Sequence, residues 1–366
     1  MLGCFRLILA VLVALSHLLP NYGIELPSIN FGAAAVVCFY FISGFLMCLS
    51  FERFRERAQY PTRAFYFDRL IRLCPPYFVA YGAASLWLFF GLGINIFSSF
   101  EWVSEVLIIP ANYTLLALPL PPAAAANPPT WSLGAEFQFY VFLPLIMMLG
   151  RRARAALLIA LLAAQVAFLA VPGPILTYAP WCKAIGPYFC YFPVSDLLVY
   201  RWLPIAMTPF LLGVVLAQQA SGRLIPWPLT VAIAAQSCVF LAAEIGLAFR
   251  NPSALEVASA MILLVPIAYV VLRKFNGRSR YDRILGNLAY PLFLDHILCL
   301  SITNKTHMTI WHGIFVFVFL AVAISSMIAV FQSGVDRWRY RQRGFGALAR
   351  LEGQHVSIES RALIKA

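Results

Sequence analysis

Five ionisable side chains, Arg6, His17, Glu136, Asp295 and His296, stand inside long apolar runs of this chain. A charge in such a run is costly, so it faces a bundle interior or a wet cavity and marks a functional position by default. Arg6 and His17 lie eleven residues apart in one run. On a helix that spacing is about 16 Å along the axis. Arg6 then sits near one membrane face and His17 in the opposite half, although a histidine turned toward headgroups gives the same pattern. Glu136 falls about two turns inside its run, a poor place for an idle carboxylate. Asp295 and His296 put a carboxylate beside an imidazole at mid-run. Arg69 and Arg72, three residues apart at the start of the third run, share a helical face. Two guanidiniums there suit a polyanion such as a nucleotide phosphate. The excess of Arg in cytoplasmic loops accounts for them too, and more commonly.

The elements that must hold these groups are transmembrane helices. The 366 residues are 62% hydrophobic and only 11% charged, with a mean hydropathy of +0.81. A soluble domain is about half apolar and a quarter charged, so a water-facing shell cannot be built from this composition. Runs long enough to cross a bilayer lie at roughly 4–20, 32–51, 74–97, 130–150, 155–172, 203–220, 225–247, 254–272, 287–303 and 310–332. The stretch 103–120, interrupted by Glu105, Pro110 and Asn112, reads as interfacial or re-entrant.

The net charge of +12 argues for membrane loops rather than a nucleic-acid partner, because the basic residues cluster between the apolar runs. Arg53 to Arg72, Arg151 to Arg154, Arg223, Arg273 to Arg283 and Arg337 to Arg343 mark every second loop. The alternate loops 21–31 and 98–129 have no Lys or Arg, and 173–200 has only Lys183. The expected fold is therefore an all-α polytopic bundle of about ten spans with both termini cytoplasmic. The first run, which lacks a small-residue cleavage site, is expected to stay as a helix. Residues 1–344 form one membrane domain and 345–366 a short cytoplasmic tail.

Cys4, Cys38, Cys48, Cys74, Cys238 and Cys299 fall in apolar runs, where a thiol behaves as a small hydrophobe. Cys182 and Cys190 share one loop on the outer side, where an oxidising compartment permits a disulfide. No Cys/His spacing suggests a metal site. The Ser43–Gly44 notch in the second run suits close helix packing, and Pro75-Pro76 marks the turn into the third span.

Several blocks resemble the acyltransferase-3 family, bacterial membrane proteins that O-acylate surface and exopolysaccharide sugars. Arg6 and His17 have the family's Arg-to-His spacing. Phe39-Tyr40-Phe41-Ile42-Ser43-Gly44-Phe45-Leu46 resembles its Phe-Phe-x-x-Ser-Gly-Phe-Leu stretch. Arg69-x-x-Arg72-Leu73-x-Pro75-x-Tyr77 resembles its Arg-rich approach to the third span. Trp131-Ser132-Leu133-x-x-Glu136, followed by Tyr140 and Pro144, resembles its Trp-Ser-Leu-x-x-Glu block. Tyr290-Pro291-Leu292-Phe293-Leu294-Asp295-His296 resembles its Ser-Tyr-x-x-Tyr-Leu-x-His block. Departures are Ala289 for Ser, Phe293 for Tyr, and Val335-Asp336-Arg337-Trp338 where a Glu-x-Pro ending is common.

The resemblance implies a bacterial inner-membrane enzyme with no permanently bound cofactor. Its donor would be acetyl-CoA or another acyl-CoA on the cytoplasmic side, and its acceptor a hydroxyl of a sugar or lipid-linked saccharide, among membrane lipids. It implies His17 as the essential residue with Glu136 near it, His17 acting as general base or, second, as a transient acyl carrier. Arg6, Arg69 and Arg72 would bind the donor. Ser43, Tyr77, Trp131, Ser132, Tyr290, Asp295 and His296 would support the site or contact substrate. No fused soluble domain is expected after the last span. A transporter of a small anionic solute or lipid-linked sugar also uses buried Arg, His and Glu. Alternating-access carriers usually show repeated halves, and no repeat is visible here.

Overall fold

The structure, a computed structural model, describes residues 1–24, 31–94, 130–170, 203–219, 226–244, 252–274, 279–306 and 309–342. Cys182, Cys190, the 103–120 stretch and the tail 345–366 lie outside the described residues.

Among the described residues each apolar run coincides with a helix. They are α1 (Leu2–Leu18, extended by a 3-10 turn Leu19–Tyr22), α2 (Phe31–Arg57), α3 (Pro61–Leu86, continued by a π turn Trp87–Gly91), α4 (Thr130–Met148) and α5 (Arg151–Ala170). Then come α6 (Leu203–Ala217), α7 (Trp227–Glu244), α8 (252–274, with a π segment at Ala260–Leu264), α9 (Arg280–Lys305) and α10 (Ile310–Gln342). Six of these, α1, α2, α3, α8, α9 and α10, are long and apolar enough to cross a membrane, and α4, α6 and α7 contain shorter apolar stretches. On α10, Phe315, Phe319, Val322 and Val330 follow helical spacing and are 61–72% exposed. A soluble protein does not leave such a stripe bare, whereas lipid covers it.

Two close helix crossings organise the bundle. Gly44 of α2 packs on the α6 backbone, and a Cβ at that position would stand 1.9 Å from the Phe210 carbonyl oxygen. Gly213 of α6 reciprocates against Phe41. The Ser43–Gly44 notch therefore serves helix packing through its glycine. Likewise Gly3 of α1 meets Asp282 and Gly286 of α9, backbone against backbone. Cys4 N donates to Asp282 Oδ1 at 3.0 Å at one end of this pair, and the rings of His17 and His296 meet farther along, so α1 and α9 run parallel.

The helix ends sort into two groups. Gln218 donates to Glu52 at 2.9 Å, Arg273 to the Gln219 carbonyl at 3.0 Å, and Arg339 approaches Asp68 at 3.4 Å. These contacts gather the ends that bear the basic clusters. Asn304 donates to Asn21 at 3.1 Å, Trp87 to Ser301 at 3.0 Å, and Lys305 to the Gly91 carbonyl, gathering ends of opposite character.

The Pro pair behaves differently from expectation. The third helix does not turn into its span at Pro75-Pro76; it starts at Pro61 and passes straight through them. Pro61 occupies the first turn, where a missing N–H costs nothing. The two lost backbone bonds farther in are tolerated because neighbouring helices can supply donors near such a break. One turn away, the Tyr290 hydroxyl donates to the Leu73 carbonyl at 3.0 Å. The ninth helix also begins earlier than its apolar run, at Arg280, because Ser279 caps it by accepting from Asp282 N at 3.0 Å.

Candidate active site

One cavity of about 150 Å³ gathers most of the ionisable groups singled out above. Its wall includes Arg6 from α1, Ser43 from α2, Arg69 and Arg72 from α3, Ser132 and Glu136 from α4, and Tyr290 from α9. Residues 284 positions apart in the chain thus line one space, which only the parallel and crossing contacts of α1, α2 and α9 make possible.

Glu136 is the hub of one wall. Ser43 Oγ donates to Glu136 Oε1 at 2.7 Å, and the Tyr140 hydroxyl, one turn along α4, donates to the same oxygen. The bond from Ser43 ties α2 to α4 at this point.

The two arginines of α3 differ in their surroundings. Arg69 is buried and held by Asp68, by Ser50 Oγ at 2.9 Å and by Met47 Sδ at 3.1 Å, with its guanidinium 5.5 Å from the Phe65 ring centroid. Arg339 of α10 shares Asp68 with it. Arg72 is exposed at the cavity rim, with no carboxylate at ion-pair distance among the described residues. The pair therefore differs in setting: Arg69 is braced within the wall and Arg72 stands at the rim.

The histidines lie in a neighbouring compartment. His17 is exposed and its ring stacks on His296, with centroids 5.4 Å apart and planes 28° from parallel. His296 is fully buried, and its Nδ1 is 2.9 Å from the Phe293 carbonyl. A carbonyl only accepts, so Nδ1 carries a proton and donates it there. Nε2 has no hydrogen-bond partner among the described residues. Beside it, Asp295 accepts from Ser325 Oγ of α10 at 2.8 Å and is likewise fully buried. Phe293 packs 6.0 Å from His296 and 6.2 Å from Phe39, and both phenylalanines line the cavity. This aromatic pair stands between the arginines and the histidine stack.

The structure thus brings Arg6, Ser43, Arg69, Arg72, Ser132, Glu136 and Tyr290 onto one cavity, and sets His17 with His296 beyond Phe39 and Phe293. Glu136 is partnered by Ser43 and Tyr140, and the cavity it lines does not include His17. Tyr77 is buried, packs against Tyr81 and Phe78, and is not itself part of the cavity wall. Trp131 belongs to the first turn of α4, and its side chain lies outside the described residues. No group of three or more metal-ligating side chains occurs among the described residues.

Several participants were not picked out from sequence. Asp68 sits inside the Phe67-Asp68-Arg69 segment, where a carboxylate beside two arginines was the available signal. Asn287, Gln332, Ser333 and Asp336 also line the cavity. Gln332 and Asp336 are four apart on α10, a same-face spacing that sequence offers but that a span end explains equally well.

The family profile described as an acyltransferase domain, acyltransferase-3, matches residues 2–330. An uncharacterized protein of Aquifex aeolicus (strain VF5) is 23% identical over 227 residues, covering 59% of this chain and 90% of its own length. Acyltransferase MdmB of Streptomyces mycarofaciens is 26% identical over 289 residues, covering 75% of this chain and 70% of its own. No solved structure matches. The chain belongs to the acyltransferase-3 family and is a membrane-embedded transferase of acyl groups.

Proposed function

We propose that the enzyme is a ten-span bacterial inner-membrane O-acyltransferase with both termini in the cytoplasm. It moves an acyl group, acetyl in the simplest case, from acyl-CoA to a hydroxyl of a surface or exopolysaccharide sugar. The observation that carries this reading is the convergence of Arg6, Arg69 and Arg72 on one cavity beside Glu136. Guanidiniums bind phosphate through a planar fork, and the donor carries phosphates at one end and its thioester at the other.

Arg6 and His17 share α1, about 16 Å apart along its axis. With the phosphates at Arg6 and Arg72, the thioester arm extends past Glu136 and between Phe39 and Phe293 toward His17. Glu136 retains acceptor capacity beyond its bonds to Ser43 and Tyr140, which suits an amide N–H of that arm. Exposed His17 is open to an acceptor arriving from the other side. Its imidazole takes the hydroxyl proton as that oxygen attacks the thioester carbonyl. The C–S bond then breaks, the ester forms, and the departing thiolate takes the proton from the imidazolium. His296, stacked on His17, places its ring face against the imidazolium.

The test is acyl-CoA consumption by the purified protein with and without a sugar acceptor. Consumption should depend on acceptor and vanish in His17→Ala while acyl-CoA binding persists; general-base loss costs about 10²–10⁴-fold in rate. Near-normal turnover by His17→Ala would remove His17 from the reaction.

A further inference from the structure

The cavity wall formed by α9 and α10 differs in chemistry from the rest. It presents Asn287, Gln332, Ser333 and Asp336, an amide, a second amide, a hydroxyl and a carboxylate. Gln332 Nε2 donates to Asp336 Oδ1 at 3.4 Å, and Arg339 reaches the same oxygen at 3.0 Å. Two acceptors are left over. Gln332 Oε1 is buried with no partner among the described residues, and Asp336 Oδ2 makes no bond within them. They lie one turn apart on the same face. An ordinary solvated i,i+4 pair keeps its acceptors in water, whereas this amide oxygen is shut away from it. A buried acceptor costs free energy unless a donor fills it.

A phosphate is the wrong occupant for this wall, because it would bring further acceptor oxygens to two acceptors that need donors. The wall asks for a neutral group that offers N–H donors and also an acceptor for the Asn287 amide. We propose that it is the nucleobase subsite for the donor, selective for a 6-aminopurine. The exocyclic amine supplies N–H groups to Gln332 Oε1 and Asp336 Oδ2, and a ring nitrogen accepts from Asn287. An amide side chain is the usual reader of adenine's N6/N7 edge. A 6-oxo purine would turn a carbonyl oxygen toward two acceptors and lose both bonds. The nearby arginines then meet the phosphates attached to the same nucleoside. Gln332, Ser333 and Asp336 lie beyond residue 330, where the family match ends, so three of the wall's four polar residues come from outside that match.

The inference rests on the reading that the donor is acyl-CoA. The experiment is equilibrium binding of adenosine 3′,5′-bisphosphate and inosine 3′,5′-bisphosphate to the purified full chain in lipid nanodiscs. The adenosine form should bind about tenfold or more tightly, the scale of one well-read base edge. Gln332→Leu and Asp336→Asn should each reduce that preference, and inosine binding that remains measurable shows that the variants are folded. Arg72→Ala should weaken both nucleotides equally. Equal binding of the two by the wild type, or an unchanged preference in both variants, overturns the nucleobase subsite alone. Binding of neither, by a protein that still acylates from acyl-pantetheine, overturns the coenzyme A premise and the subsite with it.

Discussion

Replacing Gly44 by Ala adds one methyl group at the point where α2 crosses α6. The added Cβ would lie 1.9 Å from the Phe210 carbonyl oxygen and 2.7 Å from its carbon, where ordinary contact begins at 3.4 Å. The obstacle is backbone, so no side chain can rotate away, and the helices must separate by about 1.5 Å. Overpacking of this kind costs about 1–3 kcal/mol. Ala gains about 1 kcal/mol over Gly in a helix interior, which offsets part of it. With a rigid neighbour the steric cost falls at its upper end, leaving a net loss of about 1–2 kcal/mol. Gly82 on α3 is the control, because nothing lies within 4 Å of a Cβ there and only the propensity gain remains. Thermal unfolding of the purified variants in one detergent should place Gly44→Ala below wild type and Gly82→Ala at or above it. Activity should follow the same order. Ser43 is the next residue, and a shift of α2 by an ångström takes its 2.7 Å bond to Glu136 outside hydrogen-bonding range. If Gly44→Ala and Gly82→Ala match in both stability and turnover, the crossing does not position the site.

The two arginines of α3 should separate under mutation. Arg72→Ala should raise the apparent donor KM with little change in folded yield, and Lys should restore it only in part because the planar fork is lost. Arg69→Ala should also lower the yield of folded protein, since removing one partner of a buried ion pair costs about 3–5 kcal/mol; equal yields would show that Arg69 is not the brace described. Glu136→Gln replaces one carboxyl oxygen with an NH2 donor, disturbs the bonds from Ser43 and Tyr140 and should lower turnover about tenfold. The pH limb set by the histidine should stay in place, because Glu136 is partnered elsewhere; a displaced limb in the pH–rate profile would join Glu136 to His17 after all.

Much of this architecture was legible in residues alone, because a bilayer demands long apolar runs and sorts arginines between them. Those two constraints located every described helix and paired the basic helix ends. The cavity was partly legible: a charge inside an apolar run is rare enough that Arg6 and Glu136 stood out singly. What could not be read was partnership. His17 and His296 are 279 residues apart, and only the parallel packing of α1 on α9 through Gly3 and Gly286 brings their rings together. Asp68 looked like part of a basic segment until Arg339 arrived from the far end of the chain. The Pro pair misled because proline's rule is local, whereas a helix end is decided by what the freed backbone groups find nearby.

The burial of α6 has one more consequence. Its side chains from Ala206 to Val215 are buried, whereas α10, at 33 residues, shows lipid a long apolar face. Hydrophobic mismatch is thus separated from the catalytic frame. A thicker or thinner bilayer acts on the outer helices, which can answer by tilting. The α2–α6 crossing that places Ser43 against Glu136 lies inside that outer ring, away from the lipid-facing surfaces on which the adjustment falls.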